Sequence, residues 1–180
     1  VKVSITNAMF KKLQFHNFQN VGSEDIDPPL TIAFETEAIW VEEPQKVKIY
    51  FENIMKATAP GEVPRYYEGI GEAFLNAFMI RTMTTNNDVG CHVFLDLNKE
   101  NEKVRNIAIY DNYTGGLGFA EKGYELLREI ISEAHFIVKE CRCTAGCPAC
   151  TGVDRIDKKV ILWAILSFLE EAVEPTNFEI

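Results

Sequence analysis

The sequence has no apolar run approaching the roughly 18 residues a membrane-spanning helix needs, which excludes helical membrane-protein classes. It is also short of positive charge. Eighteen Lys and Arg stand against 27 Asp and Glu, a net charge of −9, so the chain lacks the broad basic footprint of a sequence-independent nucleic-acid binder. Nucleotide signatures are missing as well: there is no Gly-Lys-Thr or Gly-Lys-Ser triplet and no DEAH-like box. Only three histidines occur, His16, His92 and His135, and none has the spacing of a catalytic triad or a histidine metal site. The first ten residues do not read as a cleavable signal. There is no initiator Met, which suits a piece of a longer protein.

Low complexity, repeats and extreme composition are absent too. The hydrophobic fraction is 47% and the charged fraction 25%, ordinary for a globular domain. At 180 residues the chain is long enough for one substantial core.

Cysteine is sparse except in one place. Of five cysteines, only Cys91 stands apart; Cys141, Cys143, Cys147 and Cys150 fall within ten residues. Disulfides stabilise by closing long loops, and a ten-residue cluster closes almost none, so the pattern points to a metal in a reducing compartment. Four thiolates complete the tetrahedral sphere of Zn²⁺ and leave no position for water or substrate, so such a site is structural. Gly146 lets the short connection turn sharply. The alternatives are four free buried thiols, an iron–sulfur cluster, or a redox pair at Cys147-Pro148-Ala149-Cys150. A redox pair normally sits at a helix N-terminus, whereas this cluster follows a helix C-terminus.

The hydrophobic periodicities predict an α+β fold: a largely antiparallel sheet packed with about four helices, with the cysteine knuckle between the last two. Val1–Thr6 and Lys11–Phe18 read as the strands of an N-terminal hairpin. Residues 20–29, with Gly22, Pro28 and Pro29, read as a loop, and residues 1–29 form a hairpin-and-loop portion of the domain spanning 30–180. Ile32, Phe34, Thr36, Ala38 and Trp40 share one parity of a long strand with that face buried, and both Trp40 and Trp163 read as core. Helices are expected over 44–57, from Pro64 to about Thr84, over 118–139, and from an Asp154 or Asp157 cap to about Ala172, with Pro175 beyond its end. Residues 58–63 break the first helix. A stripe of Ala120, Tyr124, Leu127, Ile131, Ala134 and Val138 marks the third. Strands His92–Leu97 and Val104–Tyr110 form a second hairpin.

Strand, glycine turn, helix is also the arrangement of a phosphate cradle, and Thr114-Gly115-Gly116-Leu117-Gly118 has it. The details fail: Tyr124 stands where a Walker lysine belongs, and Glu121 where the third Rossmann glycine would be. The turn reads as structural, with contact to a nucleic-acid phosphate or a neighbouring domain as the alternative. Charge is unevenly spread: residues 20–62 carry a net −6, and residues 139–159 a net +2. Arg142, Arg155, Lys158 and Lys159 around the knuckle, and the N-terminal hairpin, are the places where a polyanion could be met.

Several segments together resemble the MrfA-like zinc-binding domain at the C-terminus of a group of DEAD/DEAH-type superfamily 2 DNA helicases. They are Phe34-Glu35-Thr36-Glu37-Ala38-Ile39-Trp40, the helix around Gly69–Phe78 with the Asn87-Asp88-Val89-Gly90 turn, Tyr110-Asp111 with Gly115-Gly116-Leu117-Gly118-Phe119-Ala120, and Cys141-Arg142-Cys143 with Gly146-Cys147-Pro148-Ala149-Cys150. The match runs on through Asp157-Lys158-Lys159 and covers about residues 30–172. The resemblance implies one structural Zn²⁺ held by Cys141, Cys143, Cys147 and Cys150. It implies a cytoplasmic accessory domain of an ATP-dependent DNA helicase acting in DNA repair or related processing, with its ATPase motifs outside this chain. Its partners would be the helicase core domains of the parent and single-stranded DNA, and no membrane. Gly115, Gly116 and Gly118 join Arg142, Arg155, Lys158 and Lys159 as candidate contacts. Some relatives carry the domain in phage-defence systems, so a docking module of such a complex is the rival, beside a stand-alone iron–sulfur or dithiol protein.

Overall fold

The computed structural model describes residues 1–56 and 61–171; Ala172, Pro175 and Pro60, which bear on the expected helix ends, lie outside these. Two sheets are present among the described residues. The first is a two-stranded antiparallel ribbon of β1 (Lys2–Leu13) and β2 (Asn20–Glu35). The second is three-stranded and antiparallel, in the order β3 (Ala38–Glu42), β5 (Lys103–Asp111), β4 (Val89–Leu97). Helix α1 (Gln45–Ile49) runs into a π-helical turn, Tyr50–Met55. It is followed by α2 (Val63–Thr82), α3 (Phe119–Glu125), α4 (Leu127–Glu140) and α5 (Lys158–Glu171). The antiparallel α+β class is as the sequence indicates.

Helix α2 is the axis of the core. Tyr67, Ile70, Gly71, Phe74, Ala77 and Phe78 are all buried, as their spacing predicts, but so are Val63, Tyr66, Gly69, Ala73 and Leu75. The helix therefore packs on several sides at once. Gly71 meets the sheet, where an added Cβ would come within 3.2 Å of the Cys91 sulfur and 3.3 Å of Val93. Phe74 stacks edge-on against Phe168 of α5 at 5.3 Å, and Phe51 lies 4.9 Å from the Tyr67 ring. Helix α4 adds Ile130, Ile131, Ala134 and Val138. Met83 closes α2 in the left-handed conformation, φ 57°, an αL helix ending of the usual kind.

Four expectations are corrected. First, the N-terminal hairpin pairs Lys2–Leu13 with Asn20–Glu35, so residues 11–18 finish one strand and make the turn, and residues 20–29 belong to β2. The prolines are accommodated because the register jumps between Asn7↔Leu30 and Met9↔Asp25. Pro28 and Pro29 fall in that irregular stretch, where no ladder donor is required. Second, the long strand over 30–41 is interrupted at Thr36–Glu37, which resets its parity. Ile39 and Val41 pair with Ile109 and Ile107 of β5 and pack on the core. Ile32 is 63% and Trp40 57% exposed, so Trp40 lies outside the core. Trp163 does pack against it, 5.0 Å from the Tyr50 ring.

Third, the helix expected over 118–139 is broken at Leu126 (φ −103°, ψ 14°). Gly123 explains the close seat of α3: a Cβ there would stand 2.0 Å from the buried Phe78 ring. The break lets α4 take a separate path along α2, and Tyr124 falls off the stripe at 72% exposure. Fourth, the helix over 44–57 is α-helical only at its start. Val47 of α1 and Phe51 of the π turn are still buried. The hairpin β4–β5 matches expectation, its turn held by the Asn98 carboxamide, which accepts from the Glu100 and Glu102 amides.

A buried polar cluster ties β3 to α2. Glu43 accepts hydrogen bonds from the Tyr67 hydroxyl and the Arg105 amide, and the Arg105 guanidinium lies 4.8 Å over the Tyr67 ring. Burial raises the Glu43 carboxyl above its ordinary range. A raised folded-state value means the native chain holds that proton more tightly than the unfolded chain. The contribution of Glu43 to stability is therefore full at acid pH and declines as pH rises through the raised value. Glu43→Gln keeps an acceptor for Arg105 and a donor for Tyr67. It is expected to gain on wild type as pH rises, whereas Glu43→Ala strands both groups and costs about 2–3 kcal/mol. Denaturant melts from acid to neutral pH read both effects.

Candidate metal centre

Helix α4 ends at Glu140, and Cys141 turns extended (φ −63°, ψ 131°) while its amide still donates to Ile137 O. The chain then reverses through Gly146, in the left-handed region at φ 70°. A side chain there has no room: a Cβ would meet Ile156 Cγ1 at 2.8 Å and Val153 O at 2.9 Å. The second half is a tight turn in which Cys150 N and Thr151 N both donate to Cys147 O. The buried Thr151 hydroxyl donates to Val153 O at 2.8 Å, and Ile156 N donates to Ala145 O, closing the loop.

These turns aim all four sulfurs at one point. The Cys141–Cys147, Cys143–Cys150 and Cys147–Cys150 Sγ pairs are each 3.6 Å apart, and all four lie within 4.8 Å of one another. Sulfurs bound tetrahedrally at about 2.3 Å from one Zn²⁺ are roughly 3.8 Å apart, so the donor set fits a single ion. An iron–sulfur cluster, with iron and sulfide between the thiolates, needs a wider spread. The four cysteines are unpaired by disulfide.

Thiol acidity tells the same story. The Cys143 backbone N–H lowers the Cys141 thiol to about 7, while burial pushes Cys150 up to about 12. A dication held among these sulfurs would favour their thiolate forms.

The knuckle is seated on α2 as well as between α4 and α5. An added Cβ at Gly69 would press on Ile156 at 3.0 Å and Val153 at 3.2 Å, and one at Gly152 on Glu72 at 2.5 Å. Tyr66 OH accepts from Asp157 N at 2.9 Å, and Arg65 donates to Asp154 O. Asp157 is the α5 cap, its carboxylate accepting from Lys159 N at 2.8 Å. The sequence carried a signal for this seat: isolated glycines inside a helical pattern mark close packing, and Gly69 is one.

The other candidate residues divide. Arg142, Arg155 and Lys159 stand exposed on the rim, with Arg155 3.7 Å from Asp154. Lys158 turns inward, its ammonium 2.5 Å from Cys141 O and 3.4 Å from both Lys139 O and Cys143 O. Cys91 and His92 lie on opposite faces of β4. Burial raises the Cys91 thiol to about 12, and the His92 ring stacks on Phe94 at 6.4 Å. Among the described residues, neither joins the metal-ligand group.

Gly115, Gly116 and Gly118 all have positive φ and build the turn as structure. Its amides converge on a carboxylate of the chain itself. Buried Asp111 accepts from Leu117 N at 2.6 Å, Phe119 N at 3.2 Å and Ala120 N at 2.9 Å. The anion-binding capacity of this helix start is thereby filled.

The family model of the MrfA Zn-binding domain matches residues 70–151. An uncharacterized ATP-dependent helicase, YprA of Bacillus subtilis (strain 168), is 29% identical over 154 residues, covering 86% of this chain and 19% of YprA. The crystal structure of the DUF1998 helicase MrfA bound to DNA superposes with a TM-score of 0.60 at 27% identity, covering 96% of this chain and 22% of that one. MrfA bound to DNA and AMPPNP gives 0.52 at 26% identity, covering 91% and 20%. The chain spans about a fifth of the length of the relatives it matches. The family-model match over residues 70–151, a four-sulfur site of the right dimensions and a shared fold agree, and the chain is similar to the MrfA Zn-binding domain.

Proposed function

We propose that this chain is the zinc-stabilised accessory domain of a cytoplasmic ATP-dependent DNA helicase that serves DNA repair or related processing. Cys141, Cys143, Cys147 and Cys150 hold one structural Zn²⁺, and the domain has no catalysis of its own. The observation that carries the reading is the convergence of the four sulfurs within 4.8 Å, seated on a fold matched along nearly its whole length by a helicase bound to DNA. Zinc fixes the ends of α4 and α5 against α2 and so holds a rigid face. In this reading that face meets the helicase core domains of the parent, and the rim of Arg142, Arg155 and Lys159 meets single-stranded DNA.

Elemental analysis of the colourless chain is expected to find one zinc; less than about half an equivalent with free thiols overturns the reading. The isolated chain is expected to hydrolyse no ATP. Cys147→Ser in the whole parent is expected to lower DNA-stimulated hydrolysis and unwinding; unchanged unwinding with the zinc lost would make the metal irrelevant to the motor.

A further inference from the structure

The β1–β2 ribbon is not packed into the core: all but three of its 28 strand residues, Val3, Ile26 and Phe34, are exposed. It is rooted at its base, where Val1 and Thr36 exchange backbone hydrogen bonds and Gly115 N donates to Glu35 O. At about 3.4 Å per residue, twelve residues carry its tip up to roughly 40 Å away. An isolated two-stranded ribbon of this length gains little from its own contacts.

The tip has its own chemistry. Phe15 is 94% exposed, Phe18 74% and Phe10 44%. No acid occurs anywhere before Glu24, so residues 10–23 carry Lys11, Lys12 and His16 with no negative charge, in a chain whose net charge is −9. Glu24 pairs with Lys12, and Lys11 stands opposite Ser23. The turn is firmly built: Phe18 N donates to Gln14 O, Gln14 N to Gln19 O, and Gln19 N to the Asn17 carboxamide. Phe18 itself is left-handed at φ 54°. That conformation favours glycine or asparagine, so an exposed phenylalanine there is held at a conformational cost.

We propose that this tip is a stacking platform for single-stranded DNA, with Phe15 and Phe18 against bases and Lys11 beside the phosphates. Exposed aromatic rings interleaved with lysines and carboxamides, and no acid, are what a single strand requires: every base offers a π face and every linkage a negative charge. The aliphatic side chains nearer the base, Ile5, Leu30 and Ile32, lie apart from this group. The proposal rests on the DNA reading above and assigns to the ribbon tip a contact that reading places at the knuckle rim.

The test uses the whole 180-residue chain and a labelled oligothymidylate at low salt. The double variant Phe15→Ala, Phe18→Ala is expected to bind at least about tenfold more weakly with zinc content unchanged. Lys11→Gln is expected to flatten the salt dependence of binding. An abasic strand of equal length is expected to bind wild type and double variant alike. Equal binding of thymidylate by wild type and the double variant overturns the proposal while leaving the zinc-domain reading intact, and Arg142→Ala then reports whether the rim is the contact. Tight binding of the abasic strand by wild type, or no binding by any form, also overturns it. So does a shift from dimer to monomer in the double variant, which would make a second copy the occupant.

Discussion

Stripping the metal, or replacing Cys147 with Ser, is expected to melt residues 140–160 together with the first turns of α5 and to loosen the N-terminal half of α2. Metal binding in small zinc peptides contributes about 10–16 kcal/mol of apparent free energy, which is then folding free energy. Only part of that is at stake here, because a core independent of the metal exists around Ile70, Phe74 and Phe78. The loss is nonetheless not confined to the loop. Cys150 and Ile156 are core residues at 1% and 2% exposure, and Gly69, Glu72 and Tyr66 bear directly on the knuckle. Hydrogen exchange is the measurement. Amides 141–160 and 63–70 should lose protection on chelation, while the β4–β5 ladder should keep it. A loss limited to the ten residues between the cysteines would show that the contacts with α2 carry no energy.

Asp111→Ala is expected to cost about 3–5 kcal/mol, comparable to removing one partner of a buried charge network. The carboxylate is fully buried and receives three amides from the turn and from the start of α3. Truncation leaves those donors without an acceptor. The turn is also held from outside, since Thr36 Oγ1 donates to Asp111 O and a Cβ on Gly116 would strike Glu37. The effect should therefore spread to the root of the ribbon. For a chain of this size the melting temperature is expected to fall by roughly 10 °C. Asp111→Asn serves as the diagnostic. It keeps the shape but brings an N–H₂ toward N–H donors, so it should be nearly as harmful. A harmless Asn variant would mean that the carboxylate charge does not hold the turn.

Residues that make their chemistry locally were legible in the sequence. The four sulfurs converge because ten residues with Gly146 in the middle can do little else, and the ladder of β4–β5 follows from its alternation and its polar turn. The stripe on α2 was equally plain, though its second buried side was not. Gly69 and Gly123 look like helix defects until Ile156 and Phe78 are seen lying on them. The failures came where a local rule was overridden by pairing at a distance. Pro28 and Pro29 signal a loop, yet β1 supplies a partner strand with a register jump that tolerates them. The single parity expected over 30–41 does not hold because the stop at Thr36–Glu37 is set by Asp111, 75 residues from Thr36. Asp111 is marked in the sequence only as part of the segment that carries the resemblance, with nothing to show its role. A single aspartate before a glycine turn is ordinary, and only its burial and three donors reveal its role.

The bond between Asp157 N and Tyr66 OH joins residues 91 apart in the chain, while the four sulfurs span ten. A loop of ten residues closes in about 10–100 ns, whereas pairing across such a separation must wait for much slower chain search. The knuckle can therefore load its metal as a local unit well before α2 is in place to receive it. Folding in the presence of zinc should be faster than folding without it followed by metal addition, because the preformed knuckle presents Val153, Ile156 and the Asp157 amide to α2 as one rigid body.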